Sequence, residues 1–240
     1  MNNTNPPTRI HTLELGPMEN FIYIIEDTQS KRAAVVDPAW EPLEILKLVK
    51  QKGLNITDIL LTHSHHDHIN AIDNLLLKYD AELHLTHAEA EFWGQAGAQP
   101  GLHYGGDTLS MGNTEIEVLH TPGHTPGSAC YKVQDQLITG DTMFVFGCGR
   151  CDLAGGDANQ MFDTLNKMKD TLPAETNILP GHNYAVKTTA SMGEQIEGNP
   201  FLHFDAQRDF VNFRMNRHGQ VRSSPYDVVS KTCAHEWLQD

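Results

Sequence analysis

The stretch Thr62-His63-Ser64-His65-His66-Asp67-His68 constrains this chain more than any other segment. It directly follows the apolar run Ile59-Leu60-Leu61. Beyond it, residues 69–79 place Ile72, Leu75, Leu76 and Tyr79 at helical spacing. The segment therefore lies where a buried strand hands over to a helix. A strand end is rigid, and the loop leaving it can aim several side chains at one point. His63 and His65, two residues apart, share a side in extended backbone. Asp67 and His68 begin the turn into the helix and face a second point nearby. Imidazole nitrogens with a few carboxylates suit zinc, iron or manganese, and the missing thiolates argue against a closed structural zinc site. A histidine-rich surface loop would account for one isolated His. Four His and one Asp within residues 63–68 point to ligation instead.

Three later single-residue signals have the same character. His124 sits inside Thr121-Pro122-Gly123-His124-Thr125-Pro126-Gly127, after a strand ending at His120. Asp141 ends a strand in Thr139-Gly140-Asp141-Thr142, and His182 does so in Leu179-Pro180-Gly181-His182-Asn183. Each alone reads as a turn with a polar residue. Three of them beside a complete H-x-H-x-D-H read as one ligand set.

Composition removes several other classes. The 240 residues carry Lys+Arg 17 against Asp+Glu 31, a net charge of −14, so no basic stripe exists to replace phosphate counterions and nucleic acid is not an expected partner. Hydrophobic content of 39% with 20% charged residues excludes a disordered chain and supports a real core. Four cysteines make no disulfide scaffold. The polar start MNNTNPPTRI has no signal-peptide pattern, and no apolar run reaches membrane-spanning length. The expectation is a soluble cytoplasmic protein without membrane association, monomer or homodimer being left open.

Strands are predicted over residues 10–15, 20–26, 32–37, 56–62, 82–85, 115–120, 129–133, 136–139 and 177–179. Helices are predicted over 41–51, stopped by Gly53, over 69–79 and over 160–169. The run Phe21-Ile22-Tyr23-Ile24-Ile25 is apolar throughout, as in a strand buried on both faces. Without strict βαβ alternation, this mixture predicts layered α/β (α+β) with mixed sheets. Residues 1–9 read as a flexible tail, 10–240 as one domain, and 190–240 as its short C-terminal extension.

These motifs resemble the metallo-β-lactamase superfamily, and within it the glyoxalase II-like hydrolases. The resemblance implies a four-layer αβ/βα sandwich of two mixed sheets flanked by helices, with two divalent metal ions, zinc before iron or manganese, at one edge. It implies that His63, His65 and His124 hold the first metal, that Asp67, His68 and His182 hold the second, and that Asp141 bridges both. A metal-bridging hydroxide, positioned by Asp67 and Asp141, would attack an acyl thioester carbonyl. No G-x-S-x-G elbow offers a serine alternative. His66 falls in the variable place of the motif and is read as facing solvent or the ligands' outer side.

Substrate features follow from the same resemblance. Arg150, in Gly147-Cys148-Gly149-Arg150, and Tyr184 match glutathione-pocket positions, and a guanidinium fork suits a carboxylate. Cys151-Asp152 departs from the aromatic pair of glyoxalase II, and the lysine-rich helical end is absent. The segments 36–40, 62–70 and 210–215 look more like zinc-dependent hydrolases of bacterial polyketide clusters, which implies a small-molecule or carrier-bound acyl thioester. Cys148-Gly149-Arg150-Cys151 is a C-x-x-C without a second pair or a following helix, and reads as coincidence in a glycine-rich loop. Persulfide dioxygenases share the motif partly, with a single iron on residues matching His63, His124 and Asp141. A non-catalytic metal-binding scaffold is the third reading, which the complete ligand set disfavours.

Overall fold

In the computed structural model, which describes residues 7–95 and 99–238, β1 (Thr8–Leu15), β2 (Asn20–Asp27), β3 (Arg32–Val36), β4 (Asn55–Leu60), β5 (Glu82–Thr86) and β6 (Gly101–His103) form one sheet in that order. It is antiparallel from β1 to β3 and parallel from β3 to β6. The second sheet is built from β7 (Thr108–Met111), β8 (Thr114–His120), β9 (Ala129–Val133) and β10 (Gln136–Gly140). A small hairpin of β11 (Met143–Phe144) and β12 (Gly147–Cys148) follows, and β13 (Asn177–Pro180) and β14 (Ala190–Ser191) complete the sheet in the order β14-β13-β10-β9-β8-β7. Its β10–β13 pair is parallel and the others are antiparallel.

The period-two alternation of a strand explains why β2 is apolar throughout. Phe21, Tyr23 and Ile25 point between the sheets and meet Val118, Tyr131 and Ile138. Ile22 and Ile24 point outward against Ile45 and Val49 of α1 (Pro42–Lys52), with α2 (His66–Ile69), α3 (Ile72–Leu76) and α4 (His87–Trp93) on the same side of the chain order. On the far side, Met161, Leu165 and Met168 of α5 (Ala158–Thr171) pack on Cys130, Leu137 and Ile178. The result is the four-layer sandwich expected from the sequence. Residues 190–238 add α6 (Met192–Gly198), α7 (Gln207–Asn212), a π-helical turn Phe213–Arg217, α8 (His218–Val221) and α9 (Lys231–Glu236). They are pinned by buried Phe201, Phe204, Phe210 and Phe213.

The sequence reading did not include β6, β7, β11, β12, β14 or the helices after residue 190, and three further features differ from it. β1 begins at Thr8, inside the segment read as a tail, and residues 1–6 of that segment lie outside the described residues. The helix expected over 69–79 is broken into α2 and α3. Asn70 Oδ1 accepts the Trp40 N–H at 2.6 Å and Pro38 O accepts the Ala71 N–H at 3.1 Å, so the 37–40 loop holds the chain at the break. Helix α4 was not anticipated, although Thr86-His87-Ala88-Glu89 carries an S/T-x-x-E start signal. Thr86 Oγ1 caps the Glu89 N–H at 3.1 Å. No helix among the described residues is long and apolar enough to cross a membrane.

Candidate metal centre

All five motif histidines other than His66 leave strand ends at one edge of the sandwich: His63, His65 and His68 after β4, His124 after β8, and His182 after β13. Asp141 leaves β10. Backbone bonds lock these ends together. The Ala129 N–H meets Thr62 O at 2.8 Å, Gly181 N–H meets Gly140 O at 2.8 Å, and Phe21 N–H meets Gly181 O at 2.8 Å. Buried tyrosines add cross-sheet ties, Tyr131 Oη to Leu61 O and Tyr23 Oη to Pro180 O, each 2.7 Å. Gly140 has φ +48°, and a Cβ there would lie 2.2 Å from Thr62 Oγ1, so only glycine allows Asp141 to follow Thr62 this closely.

The donors form two groups. His63, His65 and His124 bring one nitrogen each within 4.8 Å of one another, and a carboxylate oxygen of Asp67 with one nitrogen each of His68 and His182 does the same. Asp141 lies between them. Its Oδ2 is 3.5 Å from His124 Nε2, and its Oδ1 is 3.3 Å from His182 Nε2 and 3.4 Å from His68 Nε2. Thus the structure brings together all seven residues that the resemblance assigned to metal.

Hydrogen-bond accounting fixes which nitrogen faces the centre. His124 Nδ1–H donates to Arg150 O at 2.7 Å, His182 Nδ1–H to Met18 O at 2.8 Å, and His68 Nδ1–H to Asp37 Oδ2 at 3.0 Å. Thr62 Oγ1 gives its single proton to Asp37 Oδ2 at 2.6 Å, so it accepts from His63 Nδ1–H at 3.0 Å. Each of these four rings therefore turns Nε2 inward, where the neutral ring presents a lone pair. The inward nitrogens crowd in pairs, His68 Nε2 with His182 Nε2 at 3.2 Å and His65 Nδ1 with His124 Nε2 at 2.9 Å. His63 Nε2 and Asp141 Oδ1 are buried without a hydrogen-bond partner among the described residues. Lone pairs opposed at such distances repel unless a proton or a cation lies between them. Five nitrogens and two carboxylates converging in this way fit divalent cations.

Burial and charge divide the donor histidines, since three are pushed toward the neutral form, whereas His68 and His182 are raised, burial opposing the shift and Asp141 outweighing it. Burial lowers the pKa of His63, His65 and His124 and favours their neutral, ligating form. His68 is raised. Burial opposes its charge, but Asp141 and the bonds to Asp37 and Asp67 outweigh that penalty. Asp141 stays ionised despite its burial because His182, His68 and His124 surround it.

Two supporting acids were missed in the sequence. Asp37 holds Thr62 and His68, as above, and its Oδ1 also accepts the Thr62 N–H at 2.8 Å. With both oxygens so engaged, it orients His68 from behind although it neighbours His63 and His68. Glu89 is fully buried beneath the loops. Its Oε1 accepts from Ser64 N–H at 2.7 Å and Ser64 Oγ at 2.6 Å, while Oε2 accepts from Thr125 Oγ at 2.6 Å and Gly127 N–H at 3.1 Å. One carboxylate thus joins the loop of His63 and His65 to the loop of His124.

The centre floors a cleft of about 830 Å³. His66 is exposed on its rim, as expected of a non-ligand. Tyr184 lines it, stacked on the His182 ring with centroids 4.6 Å apart. Arg150 also lines it, but a bidentate pair with Asp152 (2.9 and 2.8 Å) answers its charge. Cys148 and Cys151 are buried, and burial pushes the Cys148 thiol well up and that of Cys151 up to about 12. Neither offers a thiolate, which agrees with reading the C-x-x-C as non-redox.

The sequence profile of the metallo-β-lactamase superfamily matches residues 15–182. The chain is 35% identical over 201 residues to BaeB of Bacillus velezensis, a "probable polyketide biosynthesis zinc-dependent hydrolase", covering 84% of this chain and 89% of that one. It is 36% identical over 252 residues to hydroxyacylglutathione hydrolase of Rhodospirillum rubrum, covering 89% and 92%. The crystal structure of ETHE1 from Myxococcus xanthus superposes with a TM-score of 0.79 at 31% identity, covering 87% and 90%. With its strand-end ligand set and its sandwich of mixed sheets, the chain belongs to the metallo-β-lactamase superfamily.

Proposed function

We propose that this protein is a metal-dependent hydrolase of acyl thioesters that works with two divalent cations, zinc before iron or manganese. One observation carries the reading. The inward lone pairs fall into two groups, and the unpartnered Asp141 Oδ1 faces one while its Oδ2 faces the other. When bound, such a cation pair supplies a nucleophile near neutral pH and polarises the carbonyl oxygen.

The chain's own residues do the rest. His63, His65 and His124 would hold one ion, Asp67, His68 and His182 the other, and Asp141 both. Asp67 Oδ2 accepts from Asn20 Nδ2 at 3.1 Å, and Trp40 Nε1–H fixes Asn20 Oδ1 at 2.7 Å, so this carboxylate is held facing the cleft floor. There Asp67 and Asp141 orient the attacking water. Phe144, Leu153 and Tyr184 line the cleft with carbon, as an acyl chain requires. The likeness to BaeB and to hydroxyacylglutathione hydrolase supports thioester chemistry, and four unpaired cysteines accord with a cytoplasmic setting.

Metal analysis of purified protein, with thioester hydrolysis followed by release of free thiol, tests the proposal. About two metal ions per chain and turnover on loading support it. A single iron with oxygen consumption on a persulfide would overturn it in favour of a dioxygenase. Full metal with no turnover of either substrate would leave a binding scaffold.

A further inference from the structure

Within a chain of net charge −14, the cleft is lined by two arginines that form no direct ion pair among the described residues, Asp152 acting on Arg214 only at longer range. Arg214 and Arg222 both line it, and neither touches a carboxylate among the described residues, whereas Arg150 is paired with Asp152. Their own contacts are neutral. Arg214 Nη1 meets His218 Nδ1 at 3.0 Å and its guanidinium lies 5.6 Å from the Phe201 ring centroid. The Arg222 guanidinium lies 5.2 Å from the Tyr226 centroid. Arg214 Nε is buried with no hydrogen-bond partner. Arg214 is presented by the π-helical turn Phe213–Arg217, a backbone form that is rare and often found at functional sites.

The two side chains act on the same place. Both press on His218, which burial and these two charges push down to about 3, so His218 remains neutral and the positive charge belongs to the arginines alone. Both also favour the ionised form of Tyr226, although burial holds its pKa up. Arg150, the cation singled out from the sequence, is bound to Asp152 instead.

We propose that Arg214 and Arg222 form an oxyanion-recognition wall for the thiol half of the substrate, with the acyl half directed to the metal centre. This rests on the thioester reading above. A guanidinium fork matches phosphate and carboxylate oxygens alike, and two forks match a group or pair of groups with about two negative charges. The ligand chemistry is thus an oxyanion, whose source is either the phosphate of a phosphopantetheine-type thiol or the carboxylates of a glutathione-type thiol. Attraction from the wall acts only at short range, because salt screens exposed charges within about 8–10 Å.

Titration calorimetry on the metal-loaded protein with phosphopantetheine, pantetheine and S-methylglutathione tests the wall without turnover. Tighter binding of phosphopantetheine than pantetheine by about tenfold or more, lost in Arg222→Gln, supports the phosphate source. Preferential binding of S-methylglutathione, weakened as strongly in Arg222→Gln, supports the carboxylate source. Arg222 is exposed, so its replacement spares the core. Arg214→Lys, which keeps the charge but loses the fork, should weaken the same ligand, and Arg208→Gln, outside the cleft lining, should leave it unchanged. Affinities that ignore both the anion and Arg222 overturn the proposal. Kinetics with the matching acetyl thioesters then separate the two readings. Arg222-dependent binding without hydrolysis of any thioester rejects the thioesterase activity and keeps the wall. Hydrolysis without an Arg222-dependent anion preference does the reverse.

Discussion

Asp37 Oδ2 accepts the Nδ1–H of His68 at 3.0 Å, and by doing so turns the His68 Nε2 lone pair to within 3.2 Å of His182 Nε2. A carboxylate behind a ligating histidine fixes its tautomer and raises its basicity. Asp37→Asn should therefore weaken cation binding by about 10–100-fold at the Asp67–His68–His182 group, with a smaller effect on the other group. Competition against a chromophoric chelator, titrated ion by ion, measures this. Equal loss from both groups would show that Asp37 acts on the fold at large.

Glu89 receives four donors from two ligand loops, two of them backbone N–H groups. Glu89→Gln would set an amide NH2 against donors and remove the charge from the bonds that remain. The expected cost is about 2–3 kcal/mol, read as a lower urea midpoint at unchanged slope, with metal content falling as the loops part. Wild-type stability in this variant would reject its role as the tie between the loops.

How far the site was legible follows from these two acids. The seven inward donors stand in short motifs at strand ends, and spacing alone reveals residues that must converge on one point. Asp37 and Glu89 lie 25 or more residues from the groups they serve, as with the Thr62–Asp37 bond and the Glu89–Thr125 bond. Their partners are chosen by tertiary packing, which no local pattern encodes. The same applies to the layers. β2 announced its two buried faces through its unbroken apolar run. β7 and β6 are short and partly exposed and gave no such signal. The bond of Arg150 to Asp152 depends on the loop's fold, and the two other arginines of the cleft, Arg214 and Arg222, come from the segment read only as a C-terminal extension.

Asp141 presents one carboxylate oxygen to each of the two donor groups. Asp141→Asn should lose most bound metal and reduce thioester hydrolysis by at least about 10³-fold, measured by elemental analysis and thiol release. Full metal with retained activity would refute its position between the ions.

Stripping the metal should destabilise the protein, since the opposed lone pairs then have no cation between them. Removal by chelator is expected to lower Tm by about 5–10 °C, and readdition of zinc to restore it, because a ligand of the folded state alone stabilises by mass action. A melting curve indifferent to chelation would argue against the donor set as a metal centre.

His218 gives stability a pH dependence that can be signed. Burial first, then Arg214 and Arg222, pushes its folded pKa down to about 3, whereas the unfolded ring titrates at the ordinary 6.5. Below 6.5 the unfolded chain takes up a proton that the folded chain refuses, so this contribution is complete above that pH and is lost progressively as pH falls toward 3. Between pH 7 and 5 the loss from this group is about 2 kcal/mol. His218→Gln should make the difference between urea-unfolding free energies at those two pH values smaller by that amount. An unchanged difference would show that His218 is already protonated in the fold.

The metal-facing side chains all lie between His63 and His182, whereas Arg214, Arg222 and Tyr226 reach the same cleft from residues 213–226. On the proposed roles, the reacting groups and the arginine wall thus come from separate lengths of polypeptide. Drift in the later stretch can redirect such a protein to a new clientele while its reactive machinery is inherited unaltered.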